Sequence, residues 1–294
     1  MSQRLSELAD SPSGNGTRHP PNRTRRSESI PRRLVAERKY HLLPVYALLT
    51  TSDLAREGIR NSGSFRFADH IYRNEPSGRF GVGRLLDRVL LRLRGARSMR
   101  SRFFHSRREI LRAVREMSGA ASGQITVLSV PCGISRDLYE AAETLHTTEP
   151  ALYENVRFIG IDLDGEALEL SRVLTRDHPL FDFRCADALA AGSLPNGLDA
   201  IVSLGFGEFL SDGLLYDFYR RCHSSLNHCG RFITSAMSRD RISDYLAREL
   251  AELYTHYRSA DQLVELLKSA GFANVRTTHD EVGLQTLAVA EKMT

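Results

Sequence analysis

The second half of the chain predicts an α/β fold wound around a mostly parallel sheet, with helices on both of its faces. Three observations carry this expectation. From Ile125 onward, short apolar runs alternate with helix-length amphipathic segments, the pattern of parallel strands joined by right-handed crossovers. The first run, ITVLSV, ends in a turn containing Gly133 that opens a helix, and the next run ends in the acid Asp162. Such a strand–turn–helix–strand unit holds a nucleoside ribose above the sheet edge. Finally, ANVRTTHD and LQTLAVAEK are strand-like runs separated only by Glu281–Gly283, which predicts a closing antiparallel hairpin.

Taken in order, residues 1–33 are rich in Ser, Pro, Asn, Gly and Arg and nearly lack large apolar side chains after Leu8. They are expected to be a disordered basic tail. Its RHPPNRTRR patch has no interleaved aromatic residue and is a weak nucleic-acid signal. Order is expected from about Leu34, with a helix over 41–63, then an aromatic-rich stretch (Phe65, Phe67, Ile71, Tyr72) ending at Pro76-Ser77-Gly78. Residues 82–93 predict a basic amphipathic helix. Its Leu face is expected to cover a core, with membrane-surface binding as the alternative. Residues 34–97 are read as a helical N-terminal lid or substrate segment. The main domain follows over 98–294 and opens on a helix at 98–117, marked by Ile110, Leu111, Val114 and Met117. Strands are expected at 125–130, 156–161, 181–185, 198–204 and 231–236. The intervening helices are placed at 135–147, 164–177 and 212–226, with helical material over 238–269.

Residues 1–120 hold 25 Lys and Arg against 11 Asp and Glu, whereas the remainder holds 15 against 25. A basic front half is open to two readings: an attraction for nucleic acid, anionic membrane or an acidic small molecule, or a face packed against the acidic half. No run reaches the length of a membrane-spanning helix and the start has no hydrophobic signal core, so a cytoplasmic location is expected. Cys132, Cys185, Cys222 and Cys229 are expected to be reduced thiols. In CHSSLNHC, Cys229-Gly230 is read as a helix stop, and no metal-ligand set is expected.

The five-strand alternation with its final hairpin resembles the seven-stranded sheet of class I S-adenosylmethionine-dependent methyltransferases, over roughly residues 98–294. VLSVPCGISRDL aligns with the family's glycine-rich first motif, with Ser129 at the usual acid and only Gly133 kept of three glycines. The resemblance implies S-adenosylmethionine as methyl donor. It implies a cofactor loop made by Pro131, Cys132, Gly133, Ser135 and Arg136, in which Ser135 caps the following helix. It implies Asp162 on the ribose hydroxyls, Leu163 beside the adenine, Asp187 and Ala188 at the adenine amino edge, and Ser203, Leu204 and Gly205 along the floor. The exit loop Gly205–Phe209 lies where the family presents its acceptor. It lacks an Asp/Asn-Pro-Pro-Tyr/Phe motif, which argues against an adenine or glutamine amide acceptor. Glu208 is the first candidate for a general base or orienting group. Tyr72, His70 and His105 follow, and Arg102 or Arg108 is a candidate for the cofactor carboxylate. Transfer from a sulfonium is an in-line displacement that rests largely on positioning. The acceptor expected is a small molecule. An RNA- or protein-directed enzyme and a non-catalytic cofactor-binding protein are the alternatives.

Overall fold

The computed structural model describes residues 23–61, 63–119 and 123–293. The expected disorder of residues 1–22 lies outside the described residues. The chain divides into two compact units, one of residues up to Arg100 with Arg239–His256, the other of Ser101–Ser238 with Tyr257–Thr294.

The second unit is a seven-stranded sheet. Its strands are β1 (Ile125–Ser129), β2 (Val156–Asp162), β3 (Phe181–Cys185), β4 (Leu198–Ser203), β5 (Leu226–Met237), β6 (Ala273–His279) and β7 (Gln285–Glu291), in the order β3-β2-β1-β4-β5-β7-β6. The first five pair in parallel, and β7 is antiparallel to both β5 and β6. This is the architecture the strand alternation and late hairpin predict. β1, β2 and β4 are buried almost throughout, which is why they read as continuous apolar runs. The outer strand β6 is largely exposed and polar, which blunts a sheet edge that could otherwise pair with another chain.

The helices are numbered in chain order. They are α1 (Arg23–Ala36), α2 (Leu42–Leu49), α3 (Asp53–Arg60), α4 (Phe65–Arg73), α5 (Phe80–Leu91), α6 (Arg94–Ser118), α7 (Arg136–Thr148), α8 (Pro150–Tyr153), α9 (Gly165–Leu174), α10 (Asp212–Ser225), α11 (Arg241–Ala251) and α12 (Ala260–Ser269). On α7, Leu138, Ala141, Ala142 and Leu145 recur at helical spacing and pack with Ile110 and Val114 of α6 and Val127 and Phe158 of the sheet. Each such fully buried Val, Leu, Ile or Phe contributes about 1.5–3 kcal/mol relative to exposure.

Cys229-Gly230 is not a helix stop. α10 ends at Ser225 and β5 starts directly at Leu226. Cys229 takes a left-handed φ of 61° where the β4–β5 register shifts, so the pair makes a bulge inside the strand.

The helical unit corrects several expectations. The tail does not extend to residue 33, because α1 begins at Arg23. Ile30 and Leu34, one turn apart, are buried with Leu42, Ile59 and Leu250. Arg33 Nη2 donates to the Glu249 carbonyl at 2.6 Å, and Lys39 Nζ lies 2.7 Å from the Glu249 carboxylate. These α11 partners also explain why residues 239–256 group with the front of the chain, outside the sheet domain expected to begin at 98. The helix expected over 41–63 is two helices, since Ser52 caps α3 by accepting from Ala55 N at 3.0 Å. Helical structure over 238–269 is interrupted: Glu252 ends α11 in a left-handed conformation, and a Ser259/Gln262 capping box restarts the chain as α12. Nor does α5 simply bury its Leu face. Gly83, Asp87 and Leu91 are buried, while Val82, Leu85 and Val89 are exposed.

Asp87 has no solvent exposure and organises this unit. Its Oδ1 accepts from Leu54 N at 2.9 Å and from the Ser52 hydroxyl, its Oδ2 accepts from Ser77 N at 3.0 Å, and His70 Nε2 lies 2.8 Å from Oδ2. Burial alone would push this carboxyl up, but the bonds from His70, Ser52, Ser77 and Leu54 outweigh it and hold it below the usual range. The hydrogen bond to Asp87 raises His70 against a smaller desolvation penalty. The Asp87 contribution to stability is therefore present above the ordinary Asp range and lost as acid protonates it. The His70 contribution is full below the ordinary His value, about 6.5, and lost as pH rises through the raised folded value. Urea unfolding of the full chain is expected to show stability falling from pH 6 to pH 8, with that part of the slope removed in His70→Gln; an unchanged slope would show that the pair does not titrate with folding.

Candidate active site

The chain runs outward from β1 through β2 to β3, then returns across β1 to β4. The crevice between the carboxyl ends of β1 and β4 is thus the topological switch point of the sheet, where open α/β sheets bind ligands. Four loops meet there, following β1, β2, β3 and β4.

The loop after β1 passes through a cis Val130–Pro131 bond, and Gly133 takes a φ of 52° that disfavours a side chain. Asp162, at the tip of β2, is 1% exposed. Its Oδ2 accepts from Gly133 N at 2.7 Å and its Oδ1 from Asp164 N at 2.9 Å. Burial raises this carboxyl despite those two amides. Asp162 therefore ties the first loop to the second, and each of its oxygens keeps a lone pair that a hydroxyl could use. The second tie is Ser171 of α9. Its Oγ accepts from Ser135 N at 3.1 Å and donates to the Gly133 carbonyl at 3.0 Å. The only local signal for it was a serine on the otherwise apolar face of α9.

Pro131, Gly133 and Arg136 are partly exposed, whereas Cys132 and Ser135 are buried. Burial pushes the Cys132 thiol upward, which makes it an inert wall of the loop. Ser135 stands at the N-cap of α7, but its hydroxyl does not cap the helix as expected, because its ψ of 52° is far from the extended N-cap geometry. One residue into α7 from Arg136, Asp137 is buried and pushed up to about 6 by desolvation, against opposing effects from its Leu138 N–H bond and the Arg102 charge.

Leu163 is half-buried beside Asp162, and Asp164 caps α9 by accepting from Glu166 N at 3.0 Å. After β3, Ala186 N donates to the Asp162 carbonyl at 3.0 Å. Asp187 is partly exposed and accepts from Leu189 N at 2.9 Å, and Ala188 is buried. After β4, Ser203 and Gly205 are buried and Leu204 is partly exposed. Gly205 has a φ of 72° and its N donates to Ser235 Oγ at 3.1 Å. The backbone angle favours glycine, and a Cβ there would lie 2.8 Å from Arg102 Nη1 and displace that guanidinium.

Glu208 lies on the single turn Phe206–Phe209, but not as an isolated base. Arg102, 5% exposed, donates from Nη1 to Glu208 Oε1 at 2.9 Å, and Gln285 Nε2 donates to the same oxygen at 3.2 Å. This carboxylate belongs to a partly buried ion pair, which suits it to orienting groups and shaping the loop. Arg258, 5% exposed, holds the rest of the exit loop. Nη1 donates to the Gly207 carbonyl at 2.6 Å, Nη2 to the Leu210 carbonyl at 2.6 Å, and Nε to Asp212 Oδ1 at 2.9 Å. Neither Arg258 nor Gln285 carried a sequence signal.

His105 is half-buried on α6, three residues beyond Arg102, and takes no part in the Arg102–Glu208–Gln285 bonds; Arg108 is exposed. Tyr72 and His70 belong to the helical unit, where Tyr72 packs on the cluster of Leu54, Ile71 and Leu91 and His70 serves Asp87.

Among the described residues, no helix is long and apolar enough to cross a membrane. No curated protein matches the chain. Among solved structures, the chain is similar to a possible exported protein from Bordetella parapertussis, with a TM-score of 0.75 at 21% identity over 92% of this chain and 96% of that one. It shares its fold with the S-adenosylmethionine-dependent methyltransferase SibL, at a TM-score of 0.54 and 13% identity over 85% of this chain and 75% of that one. It also resembles the magnesium protoporphyrin IX methyltransferase of Synechocystis PCC 6803, solved with bound SAH, at a TM-score of 0.51 and 12% identity over 76% and 93% of the two chains. The family model Methyltransf_20 matches residues 34–194, from the helical unit through the loop after β3, and the chain belongs to that family, described as "Putative methyltransferase".

Proposed function

We propose that this protein is an S-adenosylmethionine-dependent methyltransferase whose acceptor is a small molecule. The observation that carries the donor assignment is the braced switch-point loop. Gly133 in a left-handed conformation and the start of α7 are held against a buried acid at the tip of β2. This cradle fits the group: the α7 amides suit the donor's carboxylate, Asp162 suits a ribose diol, and Leu163 with Ala188 offers apolar surface for a purine. Pro131, Cys132 and Ser135 shape the loop, Arg136 adds positive charge at the helix start, and Asp187 stands at the purine edge. When bound, the donor supplies a sulfonium methyl group that an acceptor takes by in-line displacement.

The chain's own task is to orient and to exclude water. Leu204 and Gly205 form the floor, and Arg102, Gln285 and Arg258 fix the exit loop around Glu208. Glu208 is assigned to orienting the acceptor. A proton held at its second oxygen is the alternative role, for acceptors that must be deprotonated. Tyr72 and His105 have no comparable geometric support. The small-molecule acceptor is supported by the missing Asp/Asn-Pro-Pro-Tyr/Phe motif and by likeness in fold to a magnesium protoporphyrin IX methyltransferase. Unpaired thiols at Cys132, Cys185, Cys222 and Cys229 fit a reducing, cytoplasmic setting.

Calorimetry of the full chain is expected to show micromolar binding of S-adenosylmethionine or S-adenosylhomocysteine. No binding, with no co-purified product, would overturn the donor assignment. Incubating the enzyme and a tritium-methyl-labelled donor with separate small-molecule, RNA and protein fractions is expected to label the first; label in RNA or protein would replace the acceptor class. Asp162→Ala is expected to weaken donor binding by about 1.5–3 kcal/mol, as for a hydrogen bond to a charged group; equal affinity would mean that the ribose lies elsewhere. Glu208→Ala is expected to cost about 1–3 kcal/mol in urea unfolding by removing a carboxylate partner of the buried Arg102 guanidinium, with Arg102→Met/Glu208→Leu recovering much of it. If Glu208→Ala leaves stability intact, the ion pair is not structural.

A further inference from the structure

At the opposite end of the sheet unit lies a side-chain cluster that the methyltransferase reading does not use. α7 starts beside the loop after β1 and runs back toward the start of β2, so its last two turns stand away from the cofactor edge. Those turns carry Glu143 and His146, spaced i and i+3 and therefore on one face. His178, from the link between α9 and β3, points between them. One carboxylate oxygen of Glu143 and one ring nitrogen from each histidine all lie within 4.8 Å of one another.

We propose that Glu143, His146 and His178 form a binding site for a divalent transition-metal ion of the zinc class. The donor set argues the chemistry. Two imidazoles and one carboxylate suit Zn²⁺, Co²⁺ or Ni²⁺, whereas Mg²⁺ and Ca²⁺ prefer all-oxygen shells. The orientation argues a built site. His178 is 4% exposed and is boxed by Tyr139, Tyr153 and Phe181, with ring centroids at 5.6, 5.7 and 6.1 Å. Tyr153 Oη lies 2.7 Å from His178 Nδ1, which leaves Nε2 directed at Glu143 Oε1, 2.6 Å away. A metal-binding histidine is oriented in this way, by a hydrogen bond to its other nitrogen. The His146 ring sits 4.9 Å from the Tyr153 ring, so the same tyrosine contacts both histidines. Tetrahedral zinc needs ligand atoms about 3.3 Å apart, given metal–ligand distances of about 2.0–2.1 Å. The Glu143–His178 pair would open by less than about 1 Å to admit the ion, and the exposed Glu143 and His146 leave a route of entry and a solvent position. Since the site lies away from the cofactor edge, the ion's role is to fasten α7 to the α9–β3 link.

The test uses the full chain purified without a polyhistidine tag. Zn²⁺ titration is expected to show one saturable site, and Co²⁺ the intense visible bands of tetrahedral coordination. Saturating Zn²⁺ is expected to raise the thermal midpoint. His146→Ala and Glu143→Gln change exposed residues, so the fold should persist in circular dichroism. Each is expected to weaken binding by more than about 100-fold, and Tyr153→Phe by about 10–100-fold through the lost orientation of His178. Absence of saturable binding would overturn the proposal. So would affinity unchanged in His146→Ala, or affinity abolished only in His228→Ala/Cys229→Ser, which removes the exposed thiol–imidazole pair on β5.

Discussion

A carboxylate almost sealed from solvent holds the loop after β1 in place. Asp162 accepts one backbone amide from that loop and one from its own, so the two loops share an anchor at the tip of β2. A buried charge is costly unless its lone pairs are used, and the two amides only partly offset the burial that raises this group. The arrangement is therefore stable with the loop in one position and poor in others. Ser171 completes it from α9 by engaging both sides of the Gly133–Ser135 turn. A chain that carries only one of the family's three usual glycines can still present a rigid cradle, since rigidity here comes from the side chains of Asp162 on β2 and Ser171 on α9.

The exit loop is governed by the same logic with the charges reversed. Two arginines, each almost wholly buried, spend their donors on it. Arg102 pairs with Glu208 and presses against Gly205, while Arg258 bonds the carbonyls of Gly207 and Leu210. Buried guanidinium groups enforce a geometry because their N–H donors lie in a rigid planar fork. An acidic residue in an exit loop invites the reading of a free base. The ion pair to Arg102 and the bond from Gln285 instead make Glu208 part of the wall. Both side chains that bond Glu208, Arg102 and Gln285, lie far from it in sequence, so local pattern alone could not separate the orienting role from that of a base.

The helical unit shows the same principle at its own centre. Asp87, buried on α5, gathers Ser52 and Leu54 from the start of α3, His70 from α4 and Ser77 from the turn before α5. The exposed apolar side chains of α5 lie outside this arrangement. An amphipathic pattern alone does not say which of two apolar stripes will be covered. Here the row of Gly83, Asp87 and Leu91 is buried, because Gly83 lets α5 approach the Thr51 carbonyl where a Cβ would overlap it.

By itself, the sequence determined the alternation of strands and helices, the late hairpin, and the positions of Gly133, Asp162 and Gly205 at the carboxyl ends of their strands. These are consequences of local periodicity and turn chemistry, which residues a few positions apart express. Tertiary structure decided what the periodicity could not reach. Ile30 is ordered in a stretch whose composition reads as disordered, because it is buried in one cluster with Leu34 and Leu250, and the adjoining Arg33–Glu249 bonds span 216 positions. Ser171 meets Ser135 across 36 positions, and Arg102 meets Glu208 across 106. Each of these polar contacts is favourable only where burial has removed the competing water, and burial is a property of the assembled fold.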